Sequence, residues 1–277
     1  MPGVTSPAGL AVNGRKDYAG SMRTFRKNAS PAAIATEVTS LRWLAEADGA
    51  AVVPLVNHGE TWLETEYLES VAPNAGDAEA FGRALAVTHA AGAAHFGAPP
   101  PGLEPELSRL ADAPHPVRSS AESSSWGEFF AVERIEPYVK MARDRRALGR
   151  APVVDRVVER IAEGEFDSPL PRMCGDAAAA RIHGDLWGGN VMWTSAGGTL
   201  IDPAAHGGHP ETDLSELGVF GAPHLDRIYA GYNEASQLGD GWRERVGIHQ
   251  MHMIAVHAAL FGGGYGAQLE SLANRYA

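Results

Sequence analysis

The stretch RIHGDLWGGNVMWTSAGGTLIDP, Arg181 to Pro203, decides how this chain is read. His183, Asp185 and Asn190 crowd into one short loop with glycines and Trp187, after a strand-like run and before a hairpin. The hairpin is two short β runs around Ser195–Gly198, and Asp202 closes it. A hairpin folds its ends together, so Asn190 and Asp202 are expected to be neighbours. Both offer hard oxygens, the donors that Mg²⁺ prefers alongside waters and substrate phosphates. Asp185 lies one loop away, where it can accept a hydroxyl proton. A metal held by Asn and Asp, beside a carboxylate that orients the nucleophile, is a layout for phosphoryl transfer.

Two upstream residues extend the pattern. Lys27 closes a strand-like run in MRTFRKNAS, and Glu37 lies on the helix predicted for PAAIATEVTSLRWLAEA. There Ile34, Val38, Leu41 and Leu44 recur at helical spacing, with Ser30 as N-cap and Pro31 at the start. A lysine paired with a helix glutamate anchors nucleotide phosphates in kinases. Ten residues of separation mean little alone. The order lysine, glutamate, HxD loop, asparagine, aspartate carries the weight. AVVPLVNHG and TWLETEYLES read as two strands around a turn, which gives the first seventy residues a small sheet and one helix. Beyond Ser70 the pattern turns helical. APPPGLEPELSRLADAPHPVRSSAESSS, rich in proline and serine, reads as an exposed connection that can carry function.

The bulk numbers agree with this division. The chain has 277 residues, a prior for about two domains or lobes at roughly 150 residues each. A formal net charge of −11 disfavours duplex nucleic acid as a partner. The single cysteine, Cys174, excludes an internal disulfide and a cysteine metal cluster, and suits a reducing, cytoplasmic setting. No apolar run suits a signal peptide or a membrane span; the His249–Leu269 stretch reads as a buried helix that stops at Gly262–Gly264. His249, His252 and His257 on it read as core histidines, because no carboxylate completes a metal site with them.

The motif HGDLWGGN, then LIDPA, GHPETDLSELGVFG and the ending through LFGGGY, resembles the fructosamine kinase (ketosamine-3-kinase) family. That family lies within the protein-kinase-like, aminoglycoside phosphotransferase-like superfamily. SWGEFFAVERIEP is similar to its middle helix. The resemblance runs from about Thr24 to Tyr265 and implies an α+β, bilobal protein-kinase-like fold. It has a small N-terminal lobe of antiparallel sheet plus helix, residues 1–69 with the hinge, and a larger, mostly helical lobe, residues 70–277. It implies that Asp185 is the catalytic base and that Asn190 and Asp202 hold Mg²⁺. Lys27 and Glu37 then anchor the ATP phosphates, and backbone groups of Glu66 and Leu68 in the hinge meet the adenine edge. His183 and Asp213 support the catalytic loop. Trp187, His209 and Glu211 are candidate acceptor contacts, although a loop tryptophan also commonly serves packing.

The implied activity is ATP-dependent phosphorylation of a sugar hydroxyl, the 3-hydroxyl of a ketosamine or glycated lysine, serving deglycation. Three departures from the family pattern bear on it. A Gly-rich phosphate loop is poorly matched, with Gly14 or Gly20 as candidates. His206, Gly207 and Pro210 stand where the family usually has tyrosines and an arginine. The polar motif before the middle helix is blurred in HPVRSSAESSS. Two rival readings follow: a kinase for an aminoglycoside or amino alcohol, and a nucleotide-binding pseudokinase.

Overall fold

The structure is a computed structural model that describes residues 23–121 and 125–277. Gly14 and Gly20 lie outside the described residues. The chain begins with strand β1 (Thr24–Asn28) and helix α1 (Pro31–Ala45). The Ser30 side chain caps α1 by accepting from the Ala33 amide, and Pro31 occupies its first turn, as the sequence predicts. Three short strands follow: β2 (Ala51–Val52), β3 (Leu55–His58) and β4 (Trp62–Glu66). β4 is the centre of an antiparallel sheet in the order β1-β4-β3, with Lys27 opposite Leu63. α1 packs Ile34 and Val38 on Leu63 of this sheet.

AVVPLVNHG is not one strand. Pro54 interrupts it, since proline has no N–H to give to a ladder, and the two halves go to different sheets. β3 stays with β4, while β2 leaves to pair in parallel with a hairpin far along the chain. That hairpin is β8 (Val191–Thr194) and β9 (Gly197–Leu200), in the order β2-β9-β8. The Val53 amide continues the join by donating to the Leu200 carbonyl.

The helical part begins with α2 (Ala75–Ala90), capped at both ends of a box by Asn74 and Asp77. Then come β5 (Arg109–Leu110), β6 (Ala113–Pro114), α3 (Trp126–Phe129) and a π-helical turn over Phe130–Ile135. They are followed by α4 (Glu136–Asp144), α5 (Pro152–Ala162), β7 (Ala180–Ile182), β10 (His206–Gly208), α6 (Pro210–Glu216), α7 (Leu225–Ala235), α8 (Trp242–Phe261) and α9 (Tyr265–Ala273). α8 ends at Gly262, whose positive φ of 65° suits glycine, and the helix stops at the glycine run as expected. Two cores result. One joins α3, α4, α5, α8 and α9 through residues such as Phe129, Tyr138, Ile161 and Ile254. The other joins α2, α7 and the β8–β9 hairpin through Phe81, Leu85, Trp193 and Ile228.

Two glycines allow α2 and α7 to touch backbone to backbone. A Cβ on Gly82 would stand 2.1 Å from the Ile228 carbonyl, and one on Gly231 the same distance from the Glu79 carbonyl. Helix propensity alone favours Gly82→Ala by about 1 kcal/mol. The steric conflict wins: we expect Gly82→Ala to destabilise the protein by about 1–3 kcal/mol in denaturant unfolding. Unchanged or increased stability would contradict this packing.

The proline- and serine-rich segment differs from its sequence reading. It is a strap, not an exposed connection. Leu103, Leu110 and Ala113 are buried, as are Ser108 and His115. Its base is bonded to β10: the Gly97 amide donates to the Gly207 carbonyl at 2.7 Å, and the Gly207 amide to Ala98 at 2.8 Å. Tyr138 Oη donates to the Pro114 carbonyl at 2.9 Å, and Arg134 Nη1 donates to the Pro116 carbonyl. Prolines have no N–H to satisfy, so their carbonyls can be buried wherever a side-chain donor meets them.

Candidate active site

Lys27, Glu37 and Asp202 meet across the two parts of the molecule. Lys27 Nζ donates to Glu37 Oε2 at 2.8 Å and to Asp202 Oδ1 at 3.0 Å. Burial opposes the ammonium charge of Lys27, but the two carboxylates outweigh it and hold its pKa above the ordinary value. Burial pushes Glu37 up to about 7 against the pull of Lys27. Asp202 is held below the usual carboxylate range: enclosure would raise it, and the charge and hydrogen bond of Lys27 outweigh that. Asp202 has φ of 53°, a left-handed conformation that costs a non-glycine residue strain but that Asp and Asn tolerate best.

The hairpin register sets Asn190 opposite Ile201, the residue before Asp202. Val191 faces Leu200, and the Ile201 amide donates to the Asn190 carbonyl at 3.1 Å. Asn190 Nδ2 donates to the Asp185 carbonyl at 2.7 Å and to Asp185 Oδ2 at 3.0 Å. That orientation uses both amide protons on Asp185 and leaves the Asn190 side-chain oxygen as an acceptor. The Asn190 amide oxygen and the half-exposed Asp202 carboxylate are hard donors of the kind that suits Mg²⁺. Burial first, and the charge of Asp202 second, push the Asp185 carboxyl well above its ordinary pKa.

The loop that presents Asp185 is held from α6. Asp213, fully buried, accepts the His183 amide at 2.7 Å and the Gly184 amide at 3.0 Å. His89 Nε2 donates to the same carboxylate at 3.1 Å. The His183 ring accepts the Asp185 amide at Nδ1, so its proton sits on Nε2 and goes to the Ile201 carbonyl at 2.9 Å. Burial keeps this histidine neutral by lowering its pKa. His183 thus links the backbone of Asp185 to the residue before Asp202.

A second buried carboxylate, Glu216, one helical turn beyond Asp213, accepts the Leu186 amide at 3.2 Å and meets His252 Nδ1 at 2.9 Å. Burial disfavours the charged form of both partners, raising the pKa of Glu216 and lowering that of His252. The sequence reading missed Glu216. Its spacing from Asp213, three residues on one helix face, was the available signal.

His209 and Glu211 are each 1% exposed. Arg245 holds Glu211 with a fork at 2.8 and 2.6 Å, and His249 Nε2 stands 3.3 Å from its other side. A carboxylate does therefore join His249, contrary to the sequence reading. The His209 Nδ1 accepts the Glu211 amide, which leaves the proton on Nε2, so the group is a hydrogen-bonded ion pair capping α6. His206 is likewise buried: Arg134 Nε donates to its Nε2 at 3.2 Å, and its Nδ1 lies 3.1 Å from the Ala204 carbonyl. Trp187 is partly exposed beside Asp185, edge-on to Phe220 at 5.9 Å. In the hinge, the Glu66 amide is taken by the Pro54 carbonyl, and Leu68 follows the end of β4. Cys174 is buried, which pushes its thiol up to about 11.

Residues 21–276 match the family model described as fructosamine kinase. The chain belongs to the fructosamine kinase family. A Synechocystis protein named a probable ketoamine kinase is 31% identical over 217 residues, 77% of this chain and 67% of that one. Mouse ketosamine-3-kinase is 31% identical over 153 residues, 54% of this chain and 47% of the mouse protein. The crystal structure of a Thermobifida fusca protein assigned as a fructosamine-3-kinase superposes with a TM-score of 0.82 at 35% identity, covering 96% of this chain and 92% of that one. Solved choline kinase and aminoglycoside phosphotransferase structures, at 13% and 11% identity, superpose with TM-scores of 0.54 and 0.52 and show the kinase-like fold alone. The chain is an ATP-dependent phosphotransferase of the fructosamine kinase family. No helix among the described residues is long and apolar enough to cross a membrane.

Proposed function

We propose that this fructosamine kinase phosphorylates the 3-hydroxyl of a ketosamine, free or on a glycated lysine, in the cytoplasm, as a step in deglycation. The observation that carries the phosphoryl-transfer reading is the convergence of Lys27 with both Glu37 and Asp202, residues separated by up to 175 positions. The choice of acceptor is supported by the family and by its mouse relative, ketosamine-3-kinase.

In this reading residues 1–69 form the nucleotide lobe, residues 70–277 the catalytic lobe, and ATP binds between them. The Glu66 carbonyl and the Leu68 amide meet the adenine edge; the Glu66 amide is already spent on Pro54. Lys27, kept charged and oriented by Glu37, draws the phosphates into line. Asn190 and Asp202 would hold Mg²⁺, which supplies neutralisation of phosphate charge when bound. Asp185 orients the acceptor hydroxyl and takes its proton. Trp187 offers the acceptor an aromatic face. The small number of reactive groups suits a reaction that depends mainly on positioning and electrostatics.

The test is an acceptor panel of ribulosamines, fructosamines, glycated peptides, aminoglycosides and amino alcohols, read as ADP release at saturating ATP and Mg²⁺. The expected result is turnover with one or more ketosamines above all other classes. Preference for an aminoglycoside or an amino alcohol would replace the acceptor while leaving the kinase machinery intact.

A further inference from the structure

α1 carries Glu37, and its position decides whether Lys27 is held. Two hydroxyls on the same helix bracket that glutamate, and neither faces solvent: Thr36 is 2% exposed and Ser40 0%. Thr36 Oγ1 accepts the Arg109 amide at 3.0 Å and stands 3.0 Å from the Leu107 carbonyl and 2.9 Å from Ala32. Only the Ala32 contact belongs to its own helix. The other two reach the strap, whose base is fixed to β10 and to the catalytic part by Gly97, Ala98, Tyr138 and Arg134. Ser40 Oγ accepts the Ala205 amide at 3.0 Å. Ala205 is three residues beyond Asp202.

Thr36 and Ser40 therefore attach α1 to the catalytic part on either side of Glu37, while its C-terminal turn is held separately by Arg181 Nη1, which donates to the Trp43 carbonyl, and by Trp43 and Leu44 in the second core. A helix resting on a small sheet alone could rotate or slide by an ångström. Here a shift of α1 must break a hydrogen bond to the strap or one to the segment after Asp202. The Arg109 amide lies opposite Pro114, whose carbonyl accepts from Tyr138 Oη, and it donates to Thr36 Oγ1.

We propose that Thr36 and Ser40 are positioning residues for phosphoryl transfer: they hold α1 so that Glu37 keeps Lys27 on the phosphates. The proposal rests on the reading of Lys27 and Glu37 given above. Neither hydroxyl touches a reactant; each acts through the helix. Misplacement by about 1 Å at a distance from the chemistry can cost on the order of 10²-fold in rate, and an isosteric change that deletes one tether is expected to cost at least about tenfold.

The experiment is a double-mutant cycle on the full chain with the best acceptor of the panel and ATP·Mg²⁺. Its members are Thr36→Val, Ser40→Ala, Glu37→Gln, and each hydroxyl variant combined with Glu37→Gln. Assays run well below each variant's unfolding temperature, with kcat and both KM values recorded. Thr36→Val and Ser40→Ala are expected to lower kcat at least about tenfold with the acceptor KM unchanged, and Thr36→Ser to restore it. In the Glu37→Gln background neither change is expected to lower kcat further, because the group they act through is gone. Effects that add fully to that of Glu37→Gln would overturn the proposal. So would a lower melting temperature with normal kcat, or a Thr36→Ser as impaired as Thr36→Val. If one hydroxyl variant does not fold, the other decides on the same readout. Glu37→Gln with normal kcat would instead sink the phosphate-anchor reading itself.

Discussion

Asp185→Asn is expected to lose turnover by about 10²–10⁴-fold while still binding ATP·Mg²⁺, the range for removing a general base. The substitution preserves shape, and its side-chain oxygen can still accept from Asn190 Nδ2, so the loop remains tied. It deletes the charge and the proton acceptor. Nucleotide affinity should change little, because Asn190, Asp202 and Lys27 are intact. Stability should rise or stay level, since the carboxylate is partly buried and the nearby charge of Asp202 disfavours its ionised form. Acceptor-dependent ADP release and nucleotide binding on the same preparation check this. Lost binding together with lost turnover would make Asp185 a metal ligand.

Asp202→Asn should be nearly as damaging for a different reason. Asn tolerates the left-handed backbone at this position as well as Asp does, so the turn after β9 survives. The negative charge that pairs with Lys27 and is available to a cation does not. Lys27 then keeps Glu37 alone. Turnover should fall by at least about 10², and raising Mg²⁺ should recover only part of it, with a higher Mg²⁺ requirement as the signature. A variant with the wild-type Mg²⁺ dependence would exclude Asp202 as the metal ligand.

The geometry of the candidate loop was legible because its pattern is local. HGD, the asparagine five residues on and the aspartate that closes the hairpin are fixed by turn geometry, and register then sets Asn190 opposite Ile201, the residue before Asp202. Asp213 could be named only through the family resemblance; its carboxylate accepts the His183 and Gly184 amides. What stayed hidden depends on distant partners. Glu216, Thr36 and Ser40 look like ordinary helix residues until the groups they bind are known. The strap's composition suggests exposure, because proline and serine are usually found at the surface. Its carbonyls are instead met by Tyr138 and Arg134, twenty or so residues later in the chain. His206 and His209 seemed placed to face an acceptor from their position after the DP; their burial follows from the arginines that reach them or their neighbour Glu211. The sequence places Ala51 and Val52 in one strand with Leu55–His58, whereas they pair in parallel with β9, far along the chain.

The account stands most directly on where the phosphate goes. A ketosamine of defined structure, incubated with the protein, ATP and Mg²⁺, should yield a product one phosphate heavier. Its ³¹P–¹H correlation should place the phosphoryl group on the 3-hydroxyl, and release of the free amine should follow. The Asp185→Asn protein should give none of this product over the same time. Phosphate on a different hydroxyl, or ATP hydrolysis with the ketosamine recovered unchanged, would contradict the account.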